Sequence, residues 1–212
     1  MRVDHVSYAA EQGGLRETAQ RLSDALGVEA VDGGVHPRFG TRNMILPLAE
    51  GRYLEVVEVL DHPASDKAPF GQAVRARSED GGGWLGWVVA VDDLTPAEER
   101  LGREAAQGNR HRPDGVELRW RQIGVKGLIS DPQLPYLVQW EVEADLHPSA
   151  SGRTVVRLSC LQIAGDPRRV TDWLGLPAGY TSQEVEFEFL APHGTPGLLA
   201  CRFDTAAGSV TI

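Results

Sequence analysis

One order of elements recurs along this chain and narrows its fold more than any other feature. Val3 to Ala9 alternates as a strand does, with Val3, His5, Ser7 and Ala9 on one face and Asp4, Val6 and Tyr8 on the other. Leu15, Ala19, Leu22 and Leu26 then recur at helical spacing, and Gly27 follows where a left-handed C-terminal residue is cheapest for glycine. Strand-like runs come next at Glu29 to Val35, Asn43 to Leu48 and Arg52 to Leu60. The order returns at Trp84 to Val91, followed by a helix with Thr95 as cap, Pro96 at its first position and Glu98 completing a capping box. Gly108-Asn109 is expected to close that helix, with strands at Glu117 to Ile123, Val125 to Ile129 and Tyr136 to Val142. A third copy opens at Val155 to Ile163. Asp166 caps its helix, Pro167 starts it, Val170, Trp173 and Leu174 form its buried stripe, and Gly175 ends it. Strands at Glu184 to Leu190, Leu198 to Asp204 and Ser209 to Ile212 complete it.

A strand, a helix and about three further strands, repeating at about 75 residues, predict an α+β chain of repeated βαβββ units. The units fall at residues 1–79, 80–148 and 149–212, the last a shortened copy expected to cover an open sheet edge or extend an interface. Between the first two, Asp61 to Gly83 carries turn residues and a short helix over Phe70 to Arg77. His147 to Gly152 reads as a plain polar linker. Gly81-Gly82-Gly83 is a turn, since a phosphate loop would follow a strand and end in Gly-Lys-Ser/Thr.

Charge narrows the function. A net charge of −9 argues against nucleic acid, whose phosphates call for clustered cations. Arg110, Arg112, Arg119 and Arg121 do gather, but Asp114 and Glu117 interleave with them, as on a solvated face. No run approaches the roughly 20 apolar residues of a membrane helix. No apolar leader follows Met1 either, so a cytoplasmic protein without a membrane partner is expected. Cys160 and Cys201 read as reduced, buried thiols.

Particular segments carry a family likeness. Asp4-His5-Val6, Gly33 to Asn43, Gly51-Arg52-Tyr53-Leu54-Glu55, Arg112 to Trp120 and Leu134 to Trp140 resemble a glyoxalase-like branch of the vicinal-oxygen-chelate superfamily. That superfamily includes glyoxalase I, extradiol dioxygenases, and bleomycin- and fosfomycin-resistance proteins. The resemblance implies two βαβββ units whose sheets curl into one cupped cleft, with pairing within or between chains, so that a homodimer stays open. It further implies a divalent metal held from the first and last strands of each unit, and there His5 and Glu55 take the first unit's positions. Counting along the second unit gives Gly86 and Val138 instead, neither of which can coordinate. In the third, Cys160 takes the His5 position with no carboxylate evident beside it. Half of the ligand set is thus missing; His36 is a candidate third ligand, and Glu141 or Glu143 would serve only through a register shift that turns side chains to the other face.

Each candidate has a second, plainer reading. His5 is a ligand, or a hydrogen-bonded histidine lining a metal-free cleft. Glu55 is a general base in an apolar cleft, or a carboxylate paired with Arg42 or Arg52. His36, Arg38, Phe39, Thr41 and Asn43 form a substrate-contacting loop or a bulged strand connection, with Arg38 and Arg42 suited to an anionic ligand. Trp84, Trp87, Trp120 and Trp140 build an aromatic wall or pack the core. Trp140 is the candidate substrate contact, and alternation separates Trp84 from Trp87. The expected function is binding of a small organic molecule, either by a lyase or isomerase acting beside a carbonyl or by a metal-free sequestering protein. In the enzyme reading Glu55 moves the proton and His5 polarises oxygen.

Overall fold

The computed structural model describes residues 1–177, 180, 184–191 and 193–212. The first unit runs β1 (Arg2–Ala9), α1 (Gly14–Leu26), β2 (Val31–His36), β3 (Thr41–Leu48) and β4 (Arg52–Val59). Two helices, α2 (Pro63–Lys67) and α3 (Pro69–Glu79), lead to the second unit. That unit is β5 (Gly83–Ala90), α4 (Thr95–Leu101), β6 (Ala106–His111), β7 (Glu117–Ile123), α5 (Gly127–Ser130) and β8 (Tyr136–Trp140). The third is β9 (Arg157–Ala164), α6 (Pro167–Leu174), β10 (Glu186–Leu190), β11 (Gly197–Thr205) and β12 (Gly208–Thr211).

The expected helices form, with differences at their ends. Gly27 and Gly175 take left-handed φ of 66° and 69°, and Asp166 accepts a hydrogen bond from the Arg168 N–H. Thr95 begins α4 rather than capping it: Leu94 is the cap residue, and the Asp93 carboxylate accepts from the Thr95 N–H. The apolar stripe stops at Leu101, so α4 ends at Gly102, and Gly108-Asn109 lies inside β6 instead of closing the helix. The strand expected at Val125 to Ile129 is a turn leading into α5, because Gly124 and Gly127 leave too short an apolar run between them. Each of the first two units therefore keeps four strands, in a different frame for the second.

Those eight strands form one curled sheet in the order β1-β4-β3-β2-β6-β7-β8-β5, with β5 returning to β1. β1 runs parallel to β4 and antiparallel to β5, and β5 runs parallel to β8, so the two units meet along β1 and β5. On the far side the sheet closes by the single pair Val35–His111 between β2 and β6. Gly34 allows it. With φ at 101°, a side chain there would be strained, and its Cβ would lie 1.9 Å from the His111 carbonyl oxygen.

Alternation along the strands divides the interior in two. Val6, Leu46, Leu54 and Val56 face outward and pack on Leu15, Ala19, Leu22 and Leu26 of α1. Inside the curl, Val57, Leu85, Val88 and Val138 meet Phe70, Ala73 and Val74 of α3, which fills part of the cup. The linker helices are thus part of the inner wall.

The third unit forms a separate sheet in the order β10-β9-β11-β12, with β10 parallel to β9. It lies face-on against the outside of β5 instead of covering an edge, and Leu158, Leu161, Ile163, Cys201 and Phe203 join the outer core. Trp84 and Trp87 both belong to that outer core. The Trp84 ring lies 6.5 Å from Phe203, and Trp87 lies 5.1 Å from Phe187. Strict alternation separated them, but pairing of Ser7 with Gly86 and of Tyr8 with Trp84 leaves Leu85 as an extra residue and turns both tryptophans outward. The segment expected to be a plain linker is also packed: His147 and Pro148 are buried, and a Cβ on Gly152 would lie 2.7 Å from Pro47.

A shared outer core predicts that the third unit unfolds together with the other two. Phe203→Ala should destabilise the whole chain by about 3–5 kcal/mol. Thermal unfolding followed by tryptophan fluorescence and by circular dichroism should shift together, in one transition. Separate transitions would place the third unit outside the cooperative core.

Candidate functional site

A bulge at the start of the chain shapes the site. Val3 pairs with Val89 and His5 with Val88, which leaves Asp4 unpaired in β1 and turns its side chain inward beside His5. Asp4 is fully buried, and its two oxygens serve four partners. His5 Nδ1 (2.9 Å) and Trp140 Nε1 (3.2 Å) meet Oδ2, while His147 Nε2 (3.2 Å) and Arg2 Nη2 (3.0 Å) meet Oδ1. Burial alone would raise this carboxyl, but hydrogen bonds from His147 and His5 and their charge hold it well below the usual range. An ionised carboxylate only accepts, so Asp4 fixes the proton of His5 on Nδ1. His5 Nε2 is left facing the Tyr136 hydroxyl at 3.2 Å, and the ring stacks on Tyr53 at 4.3 Å.

Glu55 sits two residues beyond Tyr53 on β4, opposite Ser7 of β1. Ser7 Oγ donates to Oε2 at 2.9 Å and Asn43 Nδ2 to Oε1 at 2.7 Å. Burial opposes its charge, yet the His36 and His5 imidazoles and these two donors together bring the group below the ordinary glutamate value. His36 Nε2 lies 3.8 Å from Oε1, and Thr41 Oγ1 contacts its Nδ1 at 2.9 Å. Burial pushes His36 down to about 4 against the pull of Glu55, with Arg110 and His5 adding to the depression. His36 is therefore neutral and Glu55 anionic near neutral pH. Burial also lifts the Tyr53 and Tyr136 phenols well above their usual value.

These groups open on a narrow cavity inside the curl. His5, His36, Tyr53, Glu55 and Tyr136 form its polar part, and Phe39, Phe70, Trp120 and Trp140 its aromatic part. Gly108 gives Trp120 its place, since a Cβ there would lie 2.3 Å from the indole. Arg110 of β6 also reaches the cavity. It is buried, and among the described residues its guanidinium has neither a hydrogen bond nor an ion pair.

The expected residues divide clearly. His5, His36, Phe39, Glu55 and Trp140 line the cavity, while Thr41 and Asn43 sit behind it and hold His36 and Glu55. Arg38 is exposed in the turn after β2 and lines none of this cavity, because that turn carries it outward. Glu55 pairs with neither arginine considered for it: Arg42 pairs with Glu58, and Arg52 with Glu50 and Glu184. Sequence reasoning missed Asp4, Tyr53, Tyr136, Arg110 and His147 as site residues. The parallel runs Tyr53-Leu54 and Tyr136-Leu137 were the available signal for the two tyrosines. The Asp4 bulge gave none, and for the frame of β6 the signal was Gly102 directly after Leu101.

Register also settles which residues occupy the metal positions that the resemblance implies. Tyr53 pairs with His5 and Tyr136 with Val88, so Val88, not Gly86, is the counterpart of His5, and Val138 that of Glu55. Two valines face the two polar residues, and His5 Nδ1 is committed to Asp4. His5, His36 and Glu55 do not bring three ligand atoms within 4.8 Å of one another; among the described residues only Cys160, Glu186 and Glu188 do so. Carboxylates thus do lie beside Cys160, contrary to the sequence reading. Arg202 already pairs with both, and burial lifts the Cys160 thiol to about 11, which disfavours the thiolate a metal needs. The donors in the cleft do not fit a divalent-metal centre of the usual three protein ligands.

Paired βαβββ units around an inner cleft define a protein of the vicinal-oxygen-chelate class. The chain belongs to the glyoxalase-like domain family, whose model matches residues 3–176. A hypothetical protein from Staphylococcus aureus shares the fold at a TM-score of 0.70 and 14% identity, over 96% of this chain and 91% of that one. Methylmalonyl-CoA epimerase from Mycobacterium tuberculosis aligns at a TM-score of 0.43 and 15% identity, over 66% of this chain and 86% of its own. No curated protein matches the chain. No described helix is long and apolar enough to cross a membrane.

The depressed His36 gives the fold a defined acid limit. The folded state keeps this imidazole neutral down to about pH 4, while the unfolded chain protonates it near 6.5. Its contribution is complete above about 6.5 and is lost as the pH falls toward 4. His36→Gln should lower stability at pH 7 but remove about 3 kcal/mol of the decline between pH 7 and 4. Urea unfolding at pH 4, 5, 6 and 7 measures it. Asp4 works in a lower window, its folded value being depressed, so its contribution is lost only as the pH falls below about 4.

Proposed function

We propose that this protein is a metal-independent enzyme that moves a proton at carbon beside a carbonyl group, as a lyase or isomerase, on a small molecule held in the inner cavity. The observation that carries the reading is the Asp4–His5 pair, a buried imidazole whose proton is fixed on Nδ1 and whose Nε2 opens on the cavity. Such a nitrogen is a suitable general base. The imidazolium formed when it accepts a proton would be stabilised by the Asp4 carboxylate in contact with it and, through space, by the charge of Glu55. Its resting contact with the Tyr136 hydroxyl, at 3.2 Å, is long for a hydrogen bond to nitrogen and is readily displaced by substrate. Tyr136 and Tyr53, kept protonated, can then donate to the oxygen that gains charge.

This exchanges the roles that the sequence suggested for His5 and Glu55. Both oxygens of Glu55 already accept hydrogen bonds, and its environment favours the charged form, which makes it a weaker proton acceptor than His5. Glu55 is better suited to holding charge opposite His5. The competing reading, a sequestering protein without catalysis, draws on the aromatic part of the cavity.

Proton exchange separates the two. Incubation in D2O with a panel of small ketones and 2-oxo acids, followed by proton NMR, should show enzyme-dependent loss of signal at carbon beside the carbonyl. His5→Gln should reduce the rate by about 10²–10⁴-fold, and Asp4→Asn should reduce it by disturbing the tautomer. Saturable binding with no exchange above buffer for any compound would sink the enzyme reading in favour of the binder.

A further inference from the structure

Among the described residues that line the cavity, Arg110 is the one whose charge is left unanswered. It lies on β6 with Gly108, on the inward side of that strand, and is 4% exposed. Among the described residues no carboxylate lies within ion-pair distance of it, and its Nε is buried without a hydrogen-bond partner. Taking a guanidinium out of water without pairing it is costly, and folded proteins rarely leave it so. The nearest anions do not relieve it. Glu55 acts on it only through space, with its oxygens engaged by Ser7 and Asn43, and Asp32 also acts at a distance. The neighbouring arginines differ: Arg112 pairs with Asp114, Arg119 with Glu117 and Arg121 with Glu98. Arg110 alone in this group turns into the cavity.

We infer that Arg110 is the anchor for a substrate carboxylate, and that the ligand is a small monocarboxylate with an apolar or aromatic group, a 2-oxo acid being the class that joins this anchor to the proposed chemistry. This rests on the reading of the cavity as the substrate site and adds the chemical class. A guanidinium presents parallel N–H donors that match a carboxylate bidentately. A single cation with Glu55 nearby suits a monoanion; a phosphate dianion would need more positive charge. Trp120, Trp140, Phe39 and Phe70 supply the surface for the apolar group. An arginine at this place also explains why a chain of net charge −9 would take up an anion: the attraction is local and buried, where salt screens it little.

Phenylpyruvate and phenylacetone test this, being alike in ring and ketone and differing by the carboxylate. Calorimetric titration of the full chain should give phenylpyruvate an affinity at least about tenfold above that of phenylacetone. Arg110→Gln should abolish the difference by weakening phenylpyruvate, and Arg110→Lys should recover part of it. Equal affinities for the two compounds, no binding of either, a preference that survives Arg110→Gln, or tighter binding of inorganic phosphate than of phenylpyruvate would each overturn the inference. Should Arg110→Gln fail to fold by circular dichroism, the ratio in the unaltered protein and in Arg110→Lys decides alone. Carboxylate-dependent binding without deuterium exchange would defeat the proton-transfer reading and leave this one standing.

Discussion

The Asp4 carboxylate is the point on which the site depends, and its cost explains its surroundings. An ion this deeply buried survives only when its lone pairs are occupied, and Asp4 finds its partners on three separate stretches of chain. His5 is its neighbour on β1, Trp140 ends the second unit, and His147 comes from the connection to the third. One carboxylate therefore orients the proposed base and ties the end of β8, and the chain that follows it, to the first strand. Removing it would leave His5 and His147 free to adopt either tautomer. A site built this way is positioned by strands on both sides of the unit boundary rather than by a mobile loop.

A second constraint is the division of apolar surface. A curled sheet has two faces to cover, and here each is covered differently. Helix α1 covers the outside of the first unit. The seven-residue α4 covers little of the second, so Trp84 and Trp87 find their cover in the third unit's sheet. The inner face is partly filled by α3, which narrows the cup to the cavity beside His5 and Glu55. Neither the linker nor the third unit is peripheral to the site, since one forms its wall and the other supports the strand beside His5.

Much of the architecture was legible in the sequence because it rests on local rules. Period-2 and period-3.6 patterns, Asp166 before Pro167, and Gly27 and Gly175 after their helices each set an element by themselves. The inner polar residues His5, His36 and Glu55 were legible from alternation and family likeness. Part of what escaped depends on pairing between strands distant in sequence. Asp4 faces inward only because β1 carries one residue more than β5 there, and Trp84 faces outward only because β5 carries one more than β1 farther along. Arg110 was hidden by Gly102, a helix stop seven residues earlier than the expected one at Asn109, which moved a whole strand into view. The two β1–β5 shifts are set by the partner strand and leave no local mark, whereas Gly102 was a local stop signal like Gly27 and Gly175.

The single Val35–His111 pair has a consequence of its own. Everywhere else the wall around the cavity is stitched by ladders of several pairs, so its resistance to parting is uneven around the circumference. The thin place lies between the strand that ends in His36 and the strand that carries Arg110, across the ring from the β1–β5 junction where the Asp4 cluster is held. Like a cuff with one button, the wall can part there without disturbing its seam opposite, and local opening in proteins begins where bonds are fewest. Parting at that place would uncover His36 and Arg110 while the Asp4 cluster stayed held at the opposite seam.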